Sequence, residues 1–208
     1  MRNLLGLVCL AIFTTGCISV HVVPTSRPTA EFSLATENDS QWTTLRTLGV
    51  EVFKSEQCEP HEYGVRAGGT THNDAKASTP PYRILAGEKF VFTARYGDAR
   101  FAQNRSCGVT GAFVPQVNRK YKALLTVSND VRSCTLEVFD ITSSKEERID
   151  LLLPTYLCTP QGKTAILNGQ PQWTNWEVVP GTINVRPTTP VVPSGAGASG
   201  SDKLPELQ

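Results

Sequence analysis

The chain has 208 residues, with 20 basic and 19 acidic side chains and a formal net charge of +1. Without Met1 to Gly16, which hold only Arg2 as a charge, the balance is zero, so no broad field recruits nucleic acid or anionic headgroups. At 39% hydrophobic and 19% charged, and rich in Thr, Val, Gly and Pro, the composition favours an all-β architecture over a helical one.

Met1-Arg2-Asn3 is a positive start, Leu4 to Phe13 an apolar run, and Thr14-Thr15-Gly16 a small-residue approach to Cys17. That order describes a secretory signal over residues 1–16. The four residues ending in Cys17 resemble the bacterial lipobox, with Thr14 where the family prefers Leu. The resemblance implies that Cys17 becomes the mature N-terminus, its sulfur carrying diacylglycerol and its amine a fatty acid such as palmitate. Ile18, not Asp, follows, which by analogy with Gram-negative lipoproteins implies the outer membrane. Three acyl chains exceed the two signals that stable anchoring needs. The alternative is an uncleaved span from Leu4 to Val23, about a bilayer's thickness, which Cys17, Ser19 and His21 dilute.

Residues 17–29 read as a lipidated tether, extended and unpacked through VVPTSRPT. The folded domain is expected over residues 30–180, enough for one core. Ala30 to Thr36 has strand character. Asp39 to Leu48 suggests a cap and a short helix, with Trp42, Leu45 and Leu48 at helical spacing. Gly49 to Lys54 alternates as a strand. Glu59 to Pro81 loses periodicity and fills with Gly, Thr, His, Asn, Asp, Ser and Pro, which predicts a long functional or mobile loop.

Strong alternation returns at Lys89 to Tyr96, with Phe90, Phe92, Ala94 and Tyr96 on one face. Gly97-Asp98 marks a turn before a cysteine-bearing loop. Tyr121, Ala123, Leu125 and Val127 share a face, Asn129-Asp130 turns the chain, and Cys134, Leu136 and Val138 share the next face. Leu151 to Leu153 is a buried strand or a short helix. Trp173 to Val179 alternates as a last strand, expected at an edge. Residues 181–208, rich in Pro, Gly and Ser, cannot bury enough apolar surface to offset ordering entropy and read as a disordered tail. The whole predicts an antiparallel β-sandwich, immunoglobulin- or transthyretin-like, held by two disulfides.

Cys58, Cys107, Cys134 and Cys158 remain for pairing once Cys9 is removed and Cys17 acylated, and four cysteines permit three connectivities. The favoured expectation is Cys58–Cys107 with Cys134–Cys158, each joining neighbours in chain order. An oxidising periplasm agrees with any of these disulfide schemes. A metal centre around Cys58, His61, His72 and Asp74 lacks the close CxxC pairs that zinc takes, so no metal and no cofactor are expected.

Catalysis finds no support in a GxSxG elbow or an HExxH helix, and His61 and His72 fall in the long loop, where histidines are mostly solvated. Trp173 and Trp176 are candidate aromatic contacts for sugar or peptide, on opposite faces of one strand, with core packing the simpler role. The succession of AGE before a strand, a loop cysteine, FVP, a Y-x-A strand and a cysteine-bearing strand ending in Asp140 resembles uncharacterised β-sandwich lipoproteins of proteobacteria. That resemblance implies a sandwich without assigned chemistry. The expectation is a non-enzymatic outer-membrane lipoprotein, anchored to the membrane through Cys17 and contacting another envelope protein. The contact surface would be the 59–81 loop or an open strand edge. Binding of a small ligand or glycan near Trp173 or Trp176 is the alternative, and an enzyme on the 59–81 loop comes third.

Overall fold

The computed structural model describes residues 20–40, 45–100, 103–178 and 185–187, the side chains of 174–178 and 185–187 excepted. The signal segment, Cys17, Trp42 and most of the proline-rich tail therefore lie outside the described residues. Fourteen strands are described: β1 Thr29–Asn38, β2 Leu45–Phe53, β3 Arg66–His72, β4 Lys76–Ser78, β5 Tyr82–Leu85, β6 Phe90–Ala99 and β7 Gln103–Phe113. They continue as β8 Lys120–Ser128, β9 Ser133–Asp140, β10 Glu147–Ile149, β11 Tyr156–Thr159, β12 Gly162–Leu167, β13 Gln172–Val178 and β14 Val185–Pro187.

Two sheets face each other. One runs β14-β13-β7-β6-β2-β3; the other runs β10-β9-β8-β1-β4, with β5 also against β1. Pairing is antiparallel except between β1 and β8, which lie parallel from Glu31/Lys120 to Asn38/Val127. The inner faces carry the residues that alternation selects. Phe32 and Leu34 of β1, Leu48, Val50 and Val52 of β2, and Phe90, Phe92, Ala94 and Tyr96 of β6 meet Tyr121, Ala123, Leu125 and Val127 of β8 in one buried cluster. Phe32 packs edge-to-face on Phe92 at 4.9 Å and on Phe90 at 5.2 Å. Fully burying each such ring contributes about 1.5–3 kcal/mol.

A third layer covers part of the first sheet's outer face. Hairpin β11–β12 lies over Val91 and Thr93 of β6, so the first half of β6 is buried on both sides. Thr93 and Thr110 bond to each other at 2.8 Å, and Thr110 Oγ1 accepts the amide of Cys158 at 2.9 Å.

The disulfides correct the expected pairing. Cys58 joins Cys158, and Cys107 joins Cys134. The cause is facing, not proximity along the chain. Cys107 lies in β7, not in a loop, on the inner face with Val109, and Cys134 lies inward on β9, so their bond bridges the two sheets. Cys58, in the turn after β2, pins the covering hairpin at Cys158.

Other local expectations also change. Leu45 and Leu48 belong to a strand, not a helix, because Leu48, Val50 and Val52 fill the sandwich at a period of two. Asp98 continues β6 instead of turning it, pairing with Arg46 and Arg105 in register. Residues 59–81 contain β3 and β4, which wall both sheets; the Gly and Thr residues of β3 carry too little hydrophobic contrast to show alternation, and β4 is only three residues long. Leu151 to Leu153 is neither a buried strand nor a helix. Leu152 makes one bridge to Ala112, with Leu152 52% and Leu153 50% exposed. Val185–Pro187, inside the stretch read as tail, pairs with β13.

Candidate functional site

The segment read as a loose tether is docked. Val20 bridges Arg66 at the start of β3, the His21 amide donates to the Arg66 carbonyl at 2.8 Å, and the Val22 amide donates to that of Tyr63 at 2.8 Å. Side chains alternate as on a strand: His21 and Val23 are buried, whereas Val20 and Val22 are 65% and 68% exposed. The approach requires a glycine opposite. Gly64 has φ +102, and a Cβ there would fall 2.2 Å from the Val20 carbonyl oxygen.

His21 is held by its ring. Nδ1–H donates to the Gly64 carbonyl at 3.0 Å, which leaves Nε2 as a lone pair without a partner among the described residues. The His61 ring meets it edge-on at 4.9 Å, and His61 Nδ1 accepts the Tyr63 amide at 3.2 Å. Both rings border a recess of about 110 Å³ that Lys54, Glu62, Glu88 and Lys89 also line. Burial lowers the pKa of both histidines, with the two carboxylates Glu62 and Glu88 opposing the shift at His61.

Beyond Val20 a wider groove of about 580 Å³ runs over the outer face of β2 and β3. Its floor is flat because Gly49 and Gly69 pair directly across the two strands. Arg95 of β6 and Glu51 of β2 close one side as an ion pair of 2.7 Å, and the exposed Arg66 stands on the other. Arg95 also donates to the Cys158 carbonyl at 3.2 Å, so the groove abuts the covering hairpin.

His72 ends β3, about 20 Å along the strand from Arg66 at a rise of about 3.4 Å per residue, whereas His61 precedes the strand's other end. Its Nδ1–H donates to the Asp74 carbonyl at 2.9 Å. The structure therefore brings His61 to His21, not to His72. Cys58 is taken up by a disulfide, and no group of three potential metal ligands exists among the described residues.

Trp173 faces the end of the sandwich, where the guanidinium groups of Arg105 and Arg132 lie 4.1 Å and 5.1 Å from its ring centre. Trp176 pairs with Pro187 through the backbone, and its side chain lies outside the described residues. Around Trp173 is a polar clamp that the sequence reading missed. Asp98, its side chain wholly buried, accepts from Ser40 Oγ at 2.6 Å and from Arg100 at 3.0 Å. Arg100 and Arg105 both reach Asp130, and Arg100, first among the causes, holds the Asp130 carboxyl below its ordinary pKa. Asp39 caps the β8–β9 turn by accepting the amides of Asn129 and Asp130 at 2.7 and 3.0 Å, where Asn129, Asp130 and Val131 all have positive φ. The only signal in the sequence was Asp130 standing two residues before Arg132; Asp39, Arg100 and Arg105 are brought to it by the fold. The clamp's charges are satisfied internally, so its chemistry is that of a structural closure.

Comparison with protein families, with curated proteins and with solved structures finds no match.

Proposed function

We propose that this protein is a lipid-anchored lipoprotein of the outer membrane that acts as a non-enzymatic interaction module of the cell envelope. The observation that carries the reading is the ordered series Arg2, Leu4 to Phe13, and Thr14-Thr15-Gly16-Cys17. Two features of the body support it. Four cysteines form two disulfides, as suits an oxidising compartment. Docking of Val20 to Val23 leaves Leu4 to Ser19 for an uncleaved span, 16 residues against the roughly 20 that a spanning helix needs.

Residues 59–81 are a wall of the sandwich, so the contact surface moves from that segment to an apolar strip at the opposite edge of the first sheet. Ala112 and Leu152 exchange both backbone hydrogen bonds there, at 2.9 and 3.0 Å. Half-exposed Leu152, Leu153 and the neighbouring Val114 present side chains that another envelope protein would cover. Trp173 already stacks under two guanidinium groups, which disfavours it as a platform for glycans.

Growth on an alkyne analogue of palmitate tests the anchor. The native protein takes up the label and Cys17→Ser does not; label retained in Cys17→Ser contradicts the reading. A photo-crosslinking residue at Leu152 in intact envelopes should capture a protein neighbour, and capture of none removes the interaction role at that strip.

A further inference from the structure

We propose that the β3 edge of the sandwich, its outward face together with the exposed valines of the docked segment, lies against the lipid surface and fixes the orientation of the body on the membrane. This rests on the anchored reading of Cys17. The argument is one of chain length. Val20 is bonded into the body at Arg66, so only Ile18 and Ser19 separate it from Cys17. Three residue steps span at most about 10 Å even when fully extended. The acyl chains of Cys17 begin inside the bilayer, so the edge of β3 cannot stand clear of the headgroups. A flexible tether of the usual kind would impose no such restriction.

The chemistry of that face agrees. Val20 and Val22 point away from the body, and the Gly49–Gly69 pair keeps the neighbouring floor flat. Glu51 is the one carboxylate among the groove's lining residues, and Arg95 neutralises it. Arg66, exposed and opposite Glu51 in the β2–β3 register, has no ion pair within 4.0 Å among the described residues, so it is free to meet a lipid phosphate. The apolar strip at Leu152 lies four strand spacings away across the sheet, about 19 Å, which leaves it clear for a protein neighbour.

The test uses the full lipidated protein in vesicles of phosphatidylethanolamine and phosphatidylglycerol carrying a headgroup quencher. A fluorescent amino acid is placed at exposed Thr71 in one preparation and at Leu152 in another, with the mass of the N-terminal peptide measured on each. Lipidated Cys17 with Thr71 quenched several-fold more than Leu152 is the expected result. Insertion of a ~20-residue Gly/Ser linker between Ser19 and Val20, with an r.m.s. length of about 25 Å, should erase that difference. Equal quenching at the two positions in lipidated protein overturns the orientation and leaves the anchor standing. An N-terminal peptide without lipid overturns both. A photo-crosslinker at Thr71 that captures a protein instead of lipid in intact outer membranes assigns the face to a protein partner and overturns the proposal.

Discussion

His21 and Gly64 together decide whether the N-terminal segment is part of the body. The imidazole is docked in its neutral form, Nδ1–H on the Gly64 carbonyl, and burial lowers its pKa from the ordinary 6.5. Above pH 6.5 the docked and released rings are both neutral, and docking holds in full. As pH falls through that value, the released ring takes up a proton that the docked ring resists, and docking weakens until the lowered pKa is reached. His61, shifted in the same direction beside Lys54, Glu62 and Glu88, adds to the effect. Exchange of the Val22 amide should therefore quicken, relative to its intrinsic rate, as pH falls below about 6.5. In a His21→Asn, His61→Asn variant that dependence should vanish; an unchanged profile would remove the histidines from the account. Gly64→Ala brings a Cβ against the Val20 carbonyl at a positive φ, so it should free the same amide at neutral pH with the sandwich intact. Protection of Val22 equal to that of the parent would contradict the docking geometry.

At the scale of elements, the two disulfides have separate duties. Cys107–Cys134 ties sheet to sheet across 27 residues, and Cys58–Cys158 ties the covering hairpin across 100. Loop-closure entropy alone assigns the longer link about 4.7 kcal/mol and the shorter about 3.5 kcal/mol. A Cys58→Ala, Cys158→Ala variant should lose roughly 2–5 kcal/mol by denaturant unfolding. Its β11–β12 amides should exchange fastest while β6 and β8 stay protected. Uniform loss of protection would show the hairpin to be integral to the core. Legibility in the sequence follows the same division. Strands β6, β8 and β9 could be read because one apolar face alternates with a polar one. β3 could not, since Gly68, Gly69, Thr70 and Thr71 supply no contrast. β7 was hidden because glycines and small residues at 106 to 112 lie under a hairpin that buries both faces. The disulfide partners followed from which face each cysteine occupies, and Cys107 had no recognised strand to set its face.

For the whole molecule, the fold class was legible, whereas the site was legible only in part. His61 was named, but His21 was placed in a tether because VVPTSRPT has the composition of a spacer. Only the register of Val20 on Arg66 shows that the body begins three residues after Cys17. Likewise, Trp173 was visible as an aromatic, but the arginines over it come from β7 and the β8–β9 turn, which three-dimensional pairing alone brings together. The described body is a disulfide-bonded sandwich, which the proposed anchor would hold at the bilayer by its β3 edge, with the apolar strip at Leu152 facing away. The most direct measurement is the mass of the N-terminal peptide of protein isolated from its native membrane. The account predicts a peptide that starts at Cys17 with three acyl chains. A peptide that starts at Met1, or one that carries an unmodified Cys17 thiol, would contradict it.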